Sequence, residues 1–337
     1  MPPLLGITAD GLYCAAGGFH IDPWRRVDRA LITHAHSDHA RAGSRGYLVP
    51  PTGAEVLRAR LGQNIAVQAL PFGETLRIND VTVSFHPAGH ILGSAQIRVE
   101  HRGEIWVVSG DYKTERDAAC ESFEPVRCHT FITESTFALP HFKWEPQAIV
   151  FAEINDWWRA NQVAGRASVV FAYALGKSQR LLAGVDPAIG PIFVHADARR
   201  FVPIYRAAGI DLPESQLVTD KDFTAQRGRA LVIAPSSSAD SPWLRRFAPF
   251  STAFASGWMH PSSPGRRGGV DRGFVLSDHA DWEGITATIR ATGASRVLVT
   301  HGYTGELVRW LKLNGWDAAP LPNRPPARDA RQLELFG

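Results

Sequence analysis

Short apolar runs separated by turn-forming residues dominate the first 135 positions of the chain. Several runs alternate apolar and polar residues or are rich in β-branched residues, and Gly, Pro or Asn-Asp pairs punctuate them, a pattern typical of β-strands. Thr52–Leu61 predicts one helix in this region. We predict strands at 31–33, 46–49, 81–86, 96–99, 105–109 and 130–133.

The pattern changes after Pro140. Apolar residues at helical spacing predict a helix at 146–164, and strands then alternate with helices, the order of a parallel sheet with crossover helices. We predict strands at 168–175, 192–196 and 230–234, and helices at 177–183, 199–208 and 242–247. After a polar, linker-like stretch at 261–269 come a strand at 273–277, a helix at 282–292, a strand at 296–300 and a helix at 305–313. The fold class is therefore α/β.

Composition narrows the class of protein. The 337 residues are 45% apolar and 20% charged, which excludes disorder and allows two domains. The formal net charge of +3 permits a polyanionic partner without requiring one. The three cysteines form no C-x-x-C pair, and the chain shows neither a signal peptide nor an apolar run of the roughly 20 residues that a membrane span needs. We expect a cytoplasmic protein without disulfides.

Candidate metal chemistry is concentrated in the segment 33–39, which reads Thr-His-Ala-His-Ser-Asp-His directly after an apolar strand. Imidazole nitrogens and a carboxylate are ligands that a divalent ion such as zinc prefers. Side chains two apart point to one side of an extended segment, so His34 and His36 can share an ion. Asp38 and His39 can then face a second ion. A solvated histidine-rich loop is the alternative, which the preceding buried strand disfavours.

Three further candidate ligands follow other predicted strands. These are His90, Asp111 and His301. Each alone would be explained as a turn or cap residue, but together beside a histidine-rich loop they favour a site for two metal ions.

This pattern resembles the metallo-β-lactamase superfamily, in which H-x-H-x-D-H, a later His, a later Asp and a late His build a two-metal site in an αβ/βα sandwich. The resemblance implies His34, His36 and His90 for one ion, Asp38, His39 and His301 for the other, and Asp111 bridging them. Zinc is the implied metal, with manganese as the alternative because it accepts the same ligands. Asp22 matches an early aspartate that orients a ligand histidine, although a plain Asp-Pro turn explains it nearly as well.

Three flanking motifs point to one branch of that superfamily. The segment 131–136 resembles the acidic motif before the cap of the β-CASP nucleases, 276–281 resembles their S-x-H-A-D motif, and 299–302 resembles their closing histidine motif. The 190 positions between Asp111 and His301 leave room for such a cap. The resemblance implies a metallo-β-lactamase domain at 1–142 and 268–320, a β-CASP cap domain at 143–267 and a flexible tail at 321–337.

The resemblance also implies a mechanism of phosphodiester hydrolysis. Asp38 and Asp111 would hold the attacking hydroxide, and His279 would contact the phosphate or protonate the leaving oxygen, with Glu134 setting its tautomer. The short cap and the segment 17–23 most resemble bacterial ligase-associated DNA exonucleases, which implies a single-strand DNA exonuclease in DNA repair, functionally associated with a DNA ligase. An RNA-processing β-CASP ribonuclease and a zinc hydrolase of small esters or thioesters are the alternatives.

Two segments are candidates for contact with substrate phosphate. Residues 176–179 match a G-[KR]-x-Q motif that opens a cap helix, so Lys177 and Ser178 are placed near a helix N-terminus, where anions bind. Ser236 begins a Ser-Ser-Ser turn after another predicted strand and would act similarly, although a simple helix-start loop also explains it.

The residues near position 337 include a candidate partner-binding peptide. Gln332, Leu333, Leu335 and Phe336 resemble the Q-L-x-L-F peptide by which bacterial repair proteins dock on the DNA polymerase sliding clamp. Apolar anchors on an extended peptide are a common mode of pocket recognition. The alternative is that this segment packs on its own domain. Clamp binding would favour DNA as the substrate.

Overall fold

The computed structural model describes residues 3–217, 223–263 and 269–321. The described chain divides into two units. Unit 1 takes the residues up to Arg116, the segment Glu121–Phe142 and the residues from His279 onwards, whereas unit 2 takes Asp117–Cys120 and Lys143–Asp278. Residues 117–120 and 269–278 therefore group with unit 2, although the sequence assigns both segments to the first domain.

Eighteen strands and nine α-helices lie within these described ranges, numbered here in chain order. The strands are β1 (Gly6–Thr8), β2 (Gly11–Cys14), β3 (Phe19–Ile21), β4 (Arg29–Leu31), β5 (Gly46–Val49), β6 (Val67–Ala69), β7 (Thr75–Ile78), β8 (Val81–Pro87), β9 (Ala95–His101), β10 (Glu104–Val108), β11 (Thr130–Glu134), β12 (Ala167–Phe171), β13 (Ile192–Val194), β14 (Leu231–Ala234), β15 (Phe250–Ala255), β16 (Arg272–Phe274), β17 (Arg296–Thr300) and β18 (Asp317–Pro320). The helices are α1 (Pro51–Leu61), α2 (Gln147–Val163), α3 (Lys177–Gly184), α4 (Ala196–Arg199), α5 (Val202–Ala207), α6 (Phe223–Gln226), α7 (Pro242–Arg245), α8 (Trp282–Thr292) and α9 (Thr304–Leu313). Short 3-10 turns occupy Arg227–Arg229, Ser236–Ser238 and Gly257–Met259.

Unit 1 contains two sheets. In the first, β1 to β6 follow chain order, antiparallel from β1 to β3 and parallel from β3 to β6. The second has the order β18-β17-β11-β10-β9-β8-β7, in which β7 to β10 are antiparallel and β10, β11, β17 and β18 are parallel. The four strands β8, β10, β11 and β17 therefore point the same way, and their carboxyl ends lie along one edge of the sheet.

Two buried apolar clusters hold the layers of unit 1 together. Side chains from both sheets, among them Leu12 and Ile132, form one buried cluster. A second buried cluster joins the other face of the second sheet to α8 and α9, for example through Val297, Ile285 and Leu307. Strand β11 is buried along its whole length because it is covered on both faces. The αβ/βα sandwich is confirmed.

Unit 2 is built on a parallel sheet of the order β13-β14-β12-β15-β16. Its buried cluster includes Val169, Val232 and Phe247. The central strands β12 and β14 are buried throughout, as expected for parallel strands covered on both sides, and the edge strand β13 is buried as well. The predicted alternation of strands and helices is confirmed here.

Local chemistry explains where the sequence prediction differs from the structure. The single helix expected at 199–208 is two short helices, α4 and α5, because Pro203 lacks an N–H and is tolerated only in the first turn of a helix. The strands β1, β2 and β3 have only three or four residues each and were not predicted. Such short runs carry too little periodicity to be recognised.

The cysteines and the longest helices bear on the expectations of no disulfide and no membrane span. Cys14, Cys120 and Cys128 are buried and form no disulfide, and burial raises the pKa of Cys128 to about 12. Among the described helices, none combines the length and the hydropathy that crossing a bilayer requires.

Candidate metal centre

The candidate site lies in unit 1, where several chain segments leave strands at one edge of the second sheet. His90 follows β8, Asp111 follows β10, Glu134 ends β11 and His301 follows β17. The histidine-rich segment 33–39 follows β4 of the first sheet. Carboxyl ends of strands are the usual position of sites in layered α/β folds.

The seven predicted metal-ligating side chains form two groups. Within each group the candidate ligand atoms lie within 4.8 Å of one another. The first group is His34, His36, His90 and Asp111, and the second is Asp38, His39 and His301.

Asp111 lies between the two groups. Its Oδ2 atom is 3.5 Å from Nε2 of His34 and 3.8 Å from Nε2 of His90. Its Oδ1 atom is 3.5 Å from Nε2 of His39. One carboxylate thus faces imidazoles of both groups with different oxygens, a position that suits a bridging ligand.

The residues fit divalent metal ions. Nε2 of His34 and Nε2 of His39 are buried and find no hydrogen-bond partner among the residues that the structure describes. A buried polar atom left without a partner is costly, and imidazole nitrogens with carboxylate oxygens are a ligand set for zinc or manganese. Metal coordination would satisfy both nitrogens.

Electrostatics in the cluster also favour a bound cation. Burial holds the pKa of His34 well below its ordinary value, so its ring is neutral and offers a lone pair. Burial also opposes charge on His39, but the carboxylates of Asp111 and Asp22 outweigh it and raise the pKa of His39 well above the ordinary value. For Asp111, burial is outweighed chiefly by His39, and its pKa lies well below the usual range. The carboxylates of Asp111 and Asp22 therefore stabilise positive charge at the position of His39.

Asp22 orients His39. Its Oδ2 atom is 2.7 Å from Nδ1 of His39 and accepts a 2.6 Å hydrogen bond from Oγ1 of Thr33, while Oδ1 accepts a 2.8 Å bond from the backbone N–H of Thr33. With Nδ1 engaged, Nε2 of His39 faces Asp111. This is the contact that a carboxylate orienting a ligand histidine requires.

His279 lies beside the first group. Its Nδ1 atom is within hydrogen-bond distance of Glu134, and its ring centroid is 4.8 Å from that of His90. Glu134 is 1% exposed and accepts a 2.9 Å hydrogen bond from the backbone N–H of Tyr112. The carboxylate is therefore held from two sides, and it meets His279 at Nδ1 rather than at Nε2.

Two glycines allow the ligand-bearing loops to pack closely. Gly110 has φ 59°, and a Cβ there would lie 2.6 Å from Cβ of Thr33. Gly302 has φ 68°, and a Cβ there would lie 2.3 Å from the carbonyl oxygen of Ser135. His301 itself has φ 52°. Ser135 was not among the predicted site residues, although its hydroxyl donates to the Thr300 and His301 carbonyls; the glycine after His301 was the available signal.

The predicted phosphate-binding residues lie in unit 2. Lys177 is 2% exposed, and its Nζ atom is 2.7 Å from Oδ1 of Asp278. Ser178 is buried and donates a 2.7 Å hydrogen bond to the carbonyl of Tyr173. Ser236 is exposed on the turn after β14. Contact with phosphate would require Lys177 and Ser178 to leave these partners.

A buried ionic network in unit 2 escaped sequence analysis. Arg180 forms an ion pair with Asp117 and donates a 2.8 Å hydrogen bond to the carbonyl of Ser277. Burial opposes its charge, but Asp117 above all raises the pKa of Arg180. Arg180 and Asp117 are 63 positions apart in the chain, so no local pattern reveals the pair. The predicted partner-binding residues Gln332, Leu333, Leu335 and Phe336 lie outside the described residues.

Some known proteins are similar to this chain in sequence, and one solved structure is similar to it in fold. No protein-family model matches the chain. A protein named Probable DNA ligase from Opitutus terrae is 33% identical over 91% of this chain and 30% of its own length. Endoribonuclease YSH1 of Gibberella zeae is 30% identical over 55% of this chain and 26% of its own length. A crystal structure of a protein of unknown function from Enterococcus faecalis has a TM-score of 0.59 at 11% identity, covering 88% of this chain and 79% of that one.

Fold, site and relatives agree on the class of protein. An αβ/βα sandwich carries two His/Asp groups at the ends of its strands, and a parallel α/β unit interrupts it between Asp111 and His301. The chain belongs to the β-CASP family of the metallo-β-lactamase superfamily. It spans less than a third of the length of the two named relatives.

Proposed function

We propose that the protein is a metal-dependent nuclease that hydrolyses phosphodiesters of single-stranded DNA as an exonuclease in DNA repair. The observation that carries this proposal is the pair of His/Asp groups joined by Asp111, with His279 and Glu134 beside them. Two adjacent metal sites next to a proton donor are suited to displacement at phosphorus.

Zinc is the metal we assign to both groups, with His34, His36, His90 and Asp111 holding one ion and Asp38, His39 and His301 the other. When bound, two divalent ions lower the pKa of a water towards neutrality and neutralise charge on the phosphate. Manganese accepts the same ligands and is the alternative.

The side chains divide the remaining work. Asp111 and Asp38, whose side chain is 62% exposed, orient the attacking water. The attacking water would release one proton to solvent and react as hydroxide, so that its oxygen forms a bond to phosphorus while the bond from phosphorus to the leaving oxygen breaks. His279 would transfer a proton from Nε2 to that leaving oxygen, while Nδ1 keeps its own proton and donates it in a hydrogen bond to Glu134, which stabilises the imidazolium beforehand. The leaving group then departs as an alcohol rather than as an alkoxide, which lowers the activation barrier of the hydrolysis.

DNA is the favoured polymer because the match to the protein named Probable DNA ligase covers 91% of this chain. A functional association with a DNA ligase is part of the same proposal and rests on the resemblance of the short cap and the segment 17–23 to bacterial ligase-associated DNA exonucleases. The match to the relative named endoribonuclease covers 55% of this chain. It supports the second candidate function, that of an RNA-processing ribonuclease. Both polymers contain the same reacting phosphodiester, so the metal centre by itself serves either.

Hydrolysis of a substrate panel tests the proposal. End-labelled single-stranded DNA, RNA of the same sequence and a generic thioester are incubated with the protein and zinc or manganese. We expect stepwise shortening of the DNA, and no activity in the Asp111→Asn variant. Preferential cleavage of RNA would make the protein a ribonuclease, and turnover of the thioester alone would make it a small-molecule hydrolase.

The clamp-binding assignment of Gln332, Leu333, Leu335 and Phe336 is part of the same proposal. A DNA polymerase sliding clamp encircles duplex DNA, so binding to it would bring the nuclease to DNA rather than to RNA. The support is the match of these residues to the Q-L-x-L-F peptide.

A further inference from the structure

A cavity of about 440 Å³ opens beside the second ligand group of unit 1. Asp38, His39 and His301 line one end of it. Apolar side chains also line the cavity, among them Leu12, Trp24 and Ile132. The cavity is therefore continuous with the metal centre but differs from it in chemistry.

The proposed hydrolysis does not use the apolar walls. A phosphodiester placed at the metal centre carries a nucleoside on each side of the reacting phosphorus, and each base presents an apolar π-face. Bases stack on aromatic side chains, and such stacking tolerates any sequence because every base has this face. Trp24 is half-buried, so part of its indole remains open to a ligand.

We propose that this cavity is a nucleoside subsite, in which one base next to the scissile phosphate packs against Trp24 between Leu12 and Ile132. The inference rests on the proposed nuclease function and deepens it. The volume is at the lower end of the range of about 300–1,000 Å³ that pockets for single small molecules have, so it suits one nucleotide rather than a run of them.

Besides Asp38, His39 and His301, the polar residues that line the cavity are Asp22, Arg41, Ser109 and Thr300. Stacking on the indole of Trp24 does not depend on which hydrogen-bonding groups a base carries at its edges. The subsite should therefore accept all four bases and reject a nucleotide that lacks a base.

An abasic scan tests the subsite on the full chain with its metal. A set of single-stranded DNA oligonucleotides carries one tetrahydrofuran abasic nucleotide, moved one position at a time, and cleavage at each bond is measured. We expect cleavage of a bond to fall about 5- to 150-fold when the abasic nucleotide occupies one position next to it, the range that base–aromatic stacking implies. Abasic nucleotides two or more positions away should have little effect.

Variants connect the effect to the cavity. Trp24→Ala should remove the preference for a base, Trp24→Phe should retain part of it, and both should keep the metal content of the wild type. Trp316, a half-buried tryptophan of unit 1 that does not line the cavity, is the matched control. Trp316→Ala should preserve the full abasic effect.

The outcomes separate the subsite from the function. If the protein cleaves no nucleic acid, the proposed function is wrong and the subsite with it. If DNA is cleaved but the abasic scan is flat, the nuclease function stands and the subsite is wrong, as it would be if the chain's own residues after Leu321 filled the cavity. Full retention of the abasic effect in Trp24→Ala would also overturn it. The wild-type scan decides the question even if Trp24→Ala fails to fold.

Discussion

Nδ1 of His279 lies 2.9 Å from both carboxylate oxygens of Glu134. Glu134 is buried at the end of β11, while His279 immediately precedes the turn into α8. Glu134 also accepts a hydrogen bond from the backbone N–H of Tyr112, so its carboxylate is fixed by the backbone on one side and by His279 on the other.

His279→Ala should retain about two metal ions and lose roughly 10²–10⁴-fold in cleavage rate, the usual contribution of a positioned proton donor. Glu134→Gln should lower the rate less, because the neutral amide still meets Nδ1 but stabilises the imidazolium poorly. Elemental analysis and single-turnover cleavage measure the two properties. His36→Ala and Asp111→Asn are the contrasting variants, which should lose metal and activity together. An empty site in His279→Ala would refute its assignment as an acid.

The stability of the metal-free protein should depend on pH through His39. Its folded pKa is raised above the unfolded value of about 6.5, so its contribution to the free energy of unfolding is fully present below pH 6.5 and is lost as pH rises through the folded pKa. Asp22→Asn removes one carboxylate that raises this pKa. In urea denaturation with a chelator, the free energy of unfolding of wild type should exceed that of Asp22→Asn. This difference should be largest at pH 6 and smallest at high pH. A difference that grows with pH would contradict the expectation.

Lys177→Met should destabilise unit 2 by about 3–5 kcal/mol, because it leaves Asp278 buried without its counter-ion. The double variant Lys177→Met/Asp278→Leu should recover much of that loss, since neither charge then remains buried. Chemical denaturation of wild type, Lys177→Met, Asp278→Leu and the double variant measures the coupling free energy between Lys177 and Asp278. If Lys177→Met instead keeps its stability and lowers the salt dependence of single-strand binding, Lys177 contacts phosphate as the sequence predicts.

Gly302→Ala should displace His301, because the added Cβ meets the Ser135 carbonyl and the backbone holds a positive φ. We expect about one metal ion to be lost and the other retained. Gly305→Ala is the matched control, since Gly305 lies in α9 with open space where its Cβ would be added, and alanine favours helix. Gly305→Ala should be neutral or slightly stabilising. Equal metal loss in both variants would contradict this account.

A labelled peptide of residues 331–337 should bind a bacterial sliding clamp in a fluorescence anisotropy titration. Full-length Leu335→Ala and Phe336→Ala variants should bind the clamp more weakly than wild type, because each loses an apolar anchor. Their nuclease rate on free single-stranded DNA should be unchanged, which serves as the control. Clamp binding that is absent, or indifferent to both substitutions, would remove this support for DNA.

Much of the architecture is encoded locally. The alternation of buried strands and helices from 167 to 247 predicts a parallel sheet, and the histidine-rich segment after β4 marks the candidate metal centre. Both are short-range features, because strand periodicity and ligand chemistry are visible within about ten residues. The very short strands β1 to β3 fall below that threshold.

Residue identity and local pattern are enough to tell which side chains carry ligand chemistry and where most of the longer strands form, although the six-residue strand β15 was not predicted. What those side chains contact is settled by the packing of distant segments. Strand order in the second sheet brings His90, Asp111 and His301 together from three distant segments, whereas Lys177, predicted beside phosphate, is buried against Asp278. The apolar cavity beside His39 likewise exists only once the two sheets of unit 1 pack. The physical reason is that pairing and burial depend on long-range contacts, which the local pattern of residues does not specify.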